Sequence, residues 1–126
     1  QVGPEIPPET QIPNELGDGV CSNPDVVSAY VADPLNGKFF TAGLAQQIAA
    51  GIQWLTENPT FNYPVLLIHG ERDALVNPQD SRDFFAQIPS TDRQIKIYGG
   101  ACHEVFNEYI QDEVMSDVIH WIDYRL

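Results

Sequence analysis

Asp73 and His103 are the two residues whose types and positions could do chemistry, because each follows a short, largely apolar segment that ends at glycine. An imidazole acts as a general base only when a partner fixes its tautomer and stabilises its charged form, and a buried carboxylate does both. Together they could activate a nucleophile. The residue types alone more often mean an aspartate that caps a turn and a histidine packed under a loop, so the surrounding elements must decide.

The segments before these two residues predict two strands of one sheet. Residues 65–69 are apolar up to a final histidine and lie between Pro64 and Gly70, a pattern typical of strands covered on both faces of a parallel sheet. Residues 94–98 predict a second strand, which ends at two glycines.

A helix between the two strands predicts that they run parallel. Asn77 and Pro78 suit an N-cap and a first helical turn, and residues 80–88 carry apolar side chains on one side of a helix. Because a strand–helix–strand crossover is right-handed, both loops leave the same edge of the sheet. Open α/β sheets hold their active sites at that edge, so the carboxylate and the imidazole are predicted to lie side by side.

The composition excludes several classes of partner. The chain has 126 residues, enough for one modest domain, and a net charge of −12 with only 6 Lys and Arg residues. Nucleic acids and anionic membrane surfaces both require clustered positive charge, so neither is expected as a partner. No apolar run approaches the roughly 20 residues of a transmembrane helix, and the location stays open between the cytoplasm and the membrane periphery.

Three regions are predicted along the chain: a lead-in over residues 1–22, a helical segment over 23–60 and an α/β core over 61–126. The lead-in is rich in proline, which breaks helices and central strands, so we expect irregular or disordered chain there. The core ends in a helix over residues 111–124. The apolar side chains of that helix are predicted to face inward: Val114, Val118, Ile119, Trp121 and Ile122.

Two helices are predicted in the middle region. Asn23 caps a helix that runs to about Val31, and Thr41 caps a longer helix that runs to about Glu57. The longer helix carries an apolar stripe at helical spacing, formed by Leu44, Ile48, Ile52 and Leu55. Such a stripe is more often plain core than the wall of a ligand pocket.

The two loops resemble the C-terminal part of α/β-hydrolases of the monoacylglycerol lipase and lysophospholipase group, the serine aminopeptidase-like lipases. In that family an acid follows the seventh strand in a Gly-x-x-Asp turn and a histidine follows the eighth in a Gly-x-x-His loop; here these are residues 70–73 and 100–103. Residues 33–35, Asp-Pro-Leu, resemble the start of the family's cap. The resemblance covers roughly residues 20–126. It implies an α/β fold in which the last two parallel strands of the hydrolase sheet, with their helices, follow a helical cap.

The resemblance also implies hydrolysis of carboxylic esters of lipids, of the monoacylglycerol or lysophospholipid type, without a cofactor. Asp73 would orient His103, and His103 would act as the catalytic base. Cap helices line the substrate tunnel in this family. The residues implied in substrate binding are Leu44, Ile48, Ile52, Leu75, Val76 and Val105.

The nucleophile of such an enzyme is missing from this sequence. The family needs a serine in a Gly-x-Ser-x-Gly elbow, and none of the five serines has that pattern: Ser22, Ser28, Ser81, Ser90 and Ser116. The chain begins without a methionine, and we expect it to be a piece of a longer protein. Its partners would be a lipid ester and either the missing N-terminal half or a second copy of the chain. Alone, the chain is expected to be inactive.

Three alternatives stay open. His69 and Gly70 could belong to the family's oxyanion strand, but the serine elbow should then follow them, and it does not. A metal site made of His69, Asp73 and His103 would lack a close-spaced pair of ligands. The chain could also be a binding module that kept the sheet and lost the chemistry.

The remaining histidines are expected to be structural or at the surface, and the sequence leaves the state of the two cysteines open. His69 lies in a strand and should be packed or hydrogen-bonded, and His120 lies on the last helix, within the fold or at the surface. Cys21 and Cys102 lack metal-type spacing. They could pair only if the fold brings them together.

Overall fold

The structure is a computed structural model that describes residues 5–126, and residues 1–4 of the predicted lead-in lie outside the described residues. The strands are β1 (Gln11–Pro13), β2 (Phe39–Thr41), β3 (Val65–Gly70) and β4 (Arg93–Tyr98). The helices are α1 (Pro24–Ala32), α2 (Ala42–Glu57), α3 (Pro78–Gln87) and α4 (Gln111–Asp123). Short 3₁₀ turns lie at Gly17–Gly19 and Val105–Asn107.

β3 and β4 form a parallel pair whose carboxyl ends lead into the two loops of interest. Leu67 lies opposite Ile95, and Gly70 lies opposite Tyr98. The helix α3 connects the two strands, and the Asn77 side chain caps it by accepting a backbone hydrogen bond of 2.9 Å. The predicted strand–helix–strand unit, with its parallel strands, is confirmed.

Helix α4 covers only part of this sheet. One of its residues joins the core cluster, which consists of Tyr98, Ala101, Val105 and Val114. Val118 and Trp121 are half-buried. The prediction of an inward-facing side chain is wrong for Ile119 and Ile122, which are exposed. A two-stranded sheet is too narrow to cover the whole apolar face of a 13-residue helix.

The lead-in is more ordered than its prolines predict. β1 pairs antiparallel with β2, with Gln11 opposite Thr41, and the Asn14 side chain donates a hydrogen bond to the Tyr30 hydroxyl at 3.0 Å. Within the described residues β1 has a partner on one side only, and such an edge strand tolerates proline. The expectation of irregular chain is therefore wrong for residues 11–13, whose pairing partner lies in the middle region.

Helix α2 is present as predicted, but most of its length is uncovered. The Thr41 hydroxyl oxygen caps it by accepting a hydrogen bond from Leu44 N at 3.1 Å. Ala42 is its buried residue, whereas its apolar stripe is exposed: Leu44, Ile48, Ile52 and Leu55. The stripe is therefore not core within the described chain. Among the described helices, none combines the length and the apolar character that spanning a bilayer requires.

Candidate active site

Gly70 ends β3 at the point where the loop that carries His103 crosses it. A Cβ at this position would lie 2.0 Å from the Cys102 carbonyl oxygen and 2.5 Å from that of Ala101. Glycine therefore allows the two loops to touch. Arg72 N donates a hydrogen bond to the Ala101 carbonyl oxygen at 2.8 Å, which joins the loops through their backbones.

The Asp73 carboxylate lies at this junction and is buried, with 8% of the residue exposed. Its Oδ1 accepts hydrogen bonds from Leu75 N at 2.8 Å and Val76 N at 2.9 Å. Its Oδ2 accepts one from Nδ1 of His103 at 2.8 Å. Burial raises the pKa of Asp73, but the hydrogen bonds from Val76, His103 and Leu75 outweigh it and hold that pKa below its ordinary value of 3.8. The group is therefore an ionised acceptor at neutral pH.

His103 is oriented by this carboxylate. Because Asp73 only accepts, the proton of the neutral imidazole lies on Nδ1 and Nε2 carries the lone pair. The side chain is 40% exposed, so the ring can meet a second group. An imidazole held in this way can take a proton from a hydroxyl and return it to a leaving group. The predicted contact between the two loops is confirmed, and the catalytic role of the pair stays a prediction.

His69 lies behind the Asp73 carboxylate. Its Nε2 donates a hydrogen bond to the Val76 carbonyl oxygen at 2.9 Å and lies 3.0 Å from Asp73 Oδ2. With two oxygens facing Nε2, the proton lies there, so in the neutral ring the Ser81 hydroxyl donates to Nδ1 at 2.7 Å. The expectation that His69 is hydrogen-bonded is confirmed. Its contact with Asp73 is a feature that the sequence did not predict.

The three residues of the metal alternative do come together here. Both imidazoles, however, approach the same carboxylate oxygen, Oδ2 of Asp73, at 2.8 and 3.0 Å. A bound metal ion needs its donors to surround a shared point about 2 Å from each of them. The described part of the chain contains no group of three or more His, Cys, Asp or Glu side chains that could hold a metal ion.

Glu108 is a second buried carboxylate beside the His103 loop, with 2% of the residue exposed. Its Oε1 accepts hydrogen bonds from Ser22 N and Cys102 N, both at 2.8 Å, and its Oε2 bonds the Ser22 hydroxyl. Burial raises the pKa of Glu108, but these hydrogen bonds outweigh it and hold that pKa below its ordinary value of 4.5. Nothing in the sequence marks Glu108, because Ser22 lies 86 positions away and no local pattern indicates the contact.

The two cysteines lie beside the Glu108 carboxylate as free thiols. Cys21 is buried, and its Sγ donates to the Asn107 carbonyl oxygen at 3.5 Å. Burial raises the pKa of Cys21 and Cys102, and the nearby charge of Glu108 raises it further. Both groups are therefore protonated thiols at neutral pH, the form that is a weak nucleophile.

Four of the residues implied in substrate binding lie on or beside α2. Ile52 and Val76 line an open groove of about 410 Å³ between α2 and α3, together with Phe84. Leu44 and Ile48 lie earlier on α2, in its exposed stripe. The groove and the stripe share Ile52 and Leu55, and the groove is also lined by polar side chains of α3: Asp80, Ser81, Asp83 and Gln87.

The other two implied residues lie away from the groove. Leu75 is half-buried and packs so closely on Gly19 that a Cβ there would lie 2.6 Å from Leu75 Cδ2. Val105 is buried in the core cluster, a position that favours packing over contact with a substrate. His120 is exposed on α4, which is the second of the two places expected for it, within the fold or at the surface.

Two solved structures are similar to this chain in fold. The chain is similar to the monoacylglycerol lipase of Paleococcus ferrophilus, with a TM-score of 0.85 and 27% identity, over 92% of this chain and 46% of that one. It is also similar in fold to a soluble variant of monoglyceride lipase from Saccharomyces cerevisiae, with a TM-score of 0.80 and 24% identity, over 94% of this chain and 45% of that one.

A curated relative covers nearly the same residues. The monoacylglycerol lipase of Mycolicibacterium smegmatis is 36% identical over 121 residues, which make up 94% of this chain and 43% of that protein. The chain thus spans less than half the length of this relative and of both solved structures.

The family assignment rests on a match along most of the chain. The family model described as "Serine aminopeptidase, S33" matches residues 1–109. This range includes the loops of both Asp73 and His103, and the fold is similar to those of two monoacylglycerol or monoglyceride lipases. The chain therefore belongs to the serine aminopeptidase (S33) family of α/β-hydrolases.

Proposed function

We propose that this chain supplies the aspartate and the histidine of a serine hydrolase that cleaves carboxylic esters of lipids, of the monoacylglycerol or lysophospholipid type. The observation that carries the proposal is the 2.8 Å hydrogen bond from His103 Nδ1 to Asp73 Oδ2. The names of the relatives, monoacylglycerol lipase and monoglyceride lipase, support this substrate class.

In each of the two steps of the proposed reaction, His103 first accepts a proton and then donates it. Its Nε2 takes the proton of a serine hydroxyl while the serine oxygen attacks the ester carbonyl carbon, and the imidazolium then protonates the leaving alcohol. The acyl group is now held as an ester on the serine oxygen. His103 takes a proton from water as the water oxygen attacks this ester, and it returns the proton to the serine oxygen as the fatty acid leaves. Asp73 stays ionised throughout and stabilises the imidazolium, a role for which its buried, hydrogen-bonded carboxylate is suited.

The serine of this proposal lies outside the 126 residues. No Gly-x-Ser-x-Gly sequence occurs in the chain, and the relatives are more than twice as long as the part that matches. We propose the N-terminal half of the hydrolase as the partner that brings the serine and the oxyanion hole, with a second copy of the chain as the other candidate.

The acyl chain of the substrate is proposed to lie along the apolar surface of α2. Ile52 and Val76 would contact it in the groove, Leu44 and Ile48 would extend the surface along the helix, and Leu75 would line the loop beside Asp73. The apolar side chains along this surface suit a fatty acyl chain.

Labelling with a serine-directed phosphonate tests the proposal. The protein made from the full coding sequence should hydrolyse a monoacylglycerol, should be labelled at a serine outside residues 1–126, and should lose both properties in His103→Ala. The 126-residue chain alone should hydrolyse an activated ester no faster than free imidazole does. Labelling of a serine within the chain would overturn the proposal, and a full-length protein without hydrolysis or labelling would favour a binding module instead.

A further inference from the structure

We propose that Glu108 is a positioning residue for His103, which it holds by fastening the segment that leads into α1 to the His103 loop. The proposal deepens the proposed function and rests on it. Its basis is a single oxygen, Oε1, that accepts hydrogen bonds from Ser22 N and Cys102 N, both at 2.8 Å. One carboxylate thus binds the residue just before the capped start of α1 and the residue just before His103.

The fastening has contacts on both sides of His103. Cys102 N donates to Glu108, and Glu104 N donates to the Val20 carbonyl oxygen at 2.7 Å. Both chain neighbours of His103 are therefore tied to the segment around residues 20–22. The backbone of His103 is held between two anchored amides, while its own side chain is fixed by Asp73.

A carboxylate suits this position because the groups around it are hydrogen-bond donors, and a carboxylate provides only acceptors. Two backbone N–H groups and the Ser22 hydroxyl surround Glu108. Only 2% of the residue is exposed, so water has little access to replace the group. Removing it would leave two backbone donors without a partner in a buried place, which is costly. The anchored amides would then move to find new acceptors, and His103 would move with them.

The consequence for the proposed chemistry is a link between α1 and the catalytic base. The segment around Ser22 continues into α1, which is capped by Asn23. Because the same carboxylate binds this segment and the His103 loop, a displacement of α1 is passed on to the imidazole. A misplacement of 1 Å at a reacting group costs on the order of 10²-fold in rate, so a partial loss of the fastening should already be visible in kcat.

The test is a set of variants in the protein made from the full coding sequence. Glu108→Asp keeps the charge but shortens the side chain, so the carboxylate can no longer bind both segments, and kcat should fall by about tenfold with KM nearly unchanged. Glu108→Gln keeps Oε1 as an acceptor for both amides, so this variant should retain most of the wild-type kcat. Glu113→Asp is the matched control, since Glu113 is exposed in the first turn of α4 and takes no part in the fastening.

The ¹H NMR signal of the His103 Nδ1 proton gives a readout that a merely structural role would not move. This signal should weaken or shift in Glu108→Asp and stay unchanged in Glu113→Asp and Glu108→Gln. Wild-type kcat together with an unchanged signal in Glu108→Asp would overturn the proposal, and so would a failure of both Glu108 variants to fold. If the wild-type protein hydrolyses no ester, the proposed function fails, and the NMR comparison alone then decides whether Glu108 positions His103.

Discussion

The end of the β3–β4 sheet and the helix α2 differ in how far their side chains are buried. At the sheet end, Asp73 and Glu108 are buried, and both oxygens of each carboxylate have hydrogen-bond partners. On α2, Leu44, Ile48 and Ile52 are each more than half exposed. The polar contacts of the sheet end are complete, whereas the apolar face of α2 has no cover within the described chain.

The difference follows from where the partners lie in the sequence. The β3–α3–β4 unit brings Asp73 and His103 together through one crossover, so this chain contains all that the pair requires. Burying a leucine or isoleucine side chain gains about 1.5–3 kcal/mol, and an uncovered stripe of such residues marks a surface that binds something. The chain contains both members of the Asp73–His103 pair, whereas its proposed substrate side is uncovered.

The largest expected effect tests the sheet end. In the protein made from the full coding sequence, Asp73→Asn should lower kcat by about 10⁴-fold. The asparagine oxygen can keep the hydrogen bonds from Leu75 and Val76, but its NH₂ group would face His103 and impose the wrong tautomer. Steady-state hydrolysis of a monoacylglycerol measures the loss, with Asp112→Asn on the exposed start of α4 as the control. A wild-type rate for Asp73→Asn would assign the acid role to another carboxylate.

Two glycine substitutions compare the regions by stability. Gly70→Ala would place its Cβ 2.0 Å from the Cys102 carbonyl oxygen and should lower the free energy of unfolding by roughly 3 kcal/mol. Gly51 lies in α2 with nothing within 4 Å of a Cβ, so Gly51→Ala should raise it by about 0.5–1 kcal/mol, because alanine favours the helix. Urea unfolding of the 126-residue chain measures both. Destabilisation by Gly51→Ala would mean that α2 is covered in solution.

The sheet end could be predicted from the sequence because its signals are local. An apolar run closed by Gly70, a helix cap at Asn77 and a second strand closed by glycines define the unit and its handedness. Local signals fail where the partner is distant. Residues 11–13 form a strand because they pair with β2, and Ile122 is exposed because the sheet is too narrow to cover it. The local sequence around residues 11–13 or around Ile122 reveals neither the pairing nor the width of the sheet.

The candidate site could be predicted in part for the same reason. Asp73 and His103 each carry a short motif, and the structure brings them into contact. His69 meets Asp73 through a contact that its place in the strand does not reveal, and the burial of Glu108 depends on Ser22 at the far end of the chain. Long-range contacts between polar side chains produce no periodic pattern in the sequence. The contacts of His69 and Glu108 could therefore not be predicted from it.

Acid should weaken the sheet end by a smaller amount. The pKa values of Asp73 and Glu108 are held below their ordinary values of 3.8 and 4.5. A carboxyl group with a lowered pKa in the folded state stabilises the fold above its unfolded-state pKa, and this contribution is lost as the pH falls through the folded-state value. The free energy of unfolding, measured by urea titration, should therefore decrease as the pH falls below about 4.5.

The variant Glu108→Gln assigns this acid sensitivity to its source. The amide does not titrate, so its unfolding free energy should decrease less steeply with falling pH than that of the wild-type chain. The comparison uses the same urea titrations, over the range from about pH 6 to pH 3. An identical slope in both chains would show that the fold does not hold the Glu108 carboxyl in its ionised form.

The smallest expected effect on stability belongs to α2. Ile48 is 56% exposed, so Ile48→Ser should change the free energy of unfolding of the 126-residue chain by less than about 0.5 kcal/mol. Val114 is fully buried, so Val114→Ala, the comparison variant in the core, should lower the free energy of unfolding by roughly 2 kcal/mol. A cost of that size for Ile48→Ser would show that α2 packs against the chain in solution, and the contrast between the two regions would disappear.

The same variant should have a larger effect on association. β3 is paired on one side only within the described residues, and an open strand edge beside an uncovered apolar helix invites a second copy of the chain. Light scattering over a range of concentrations should detect self-association of the wild-type chain, and Ile48→Ser should weaken it because it removes apolar surface without changing the fold. A wild-type chain that stays monomeric and unfolds cooperatively would mean that these surfaces need no partner. The half-hydrolase interpretation would then give way to a self-contained α/β domain.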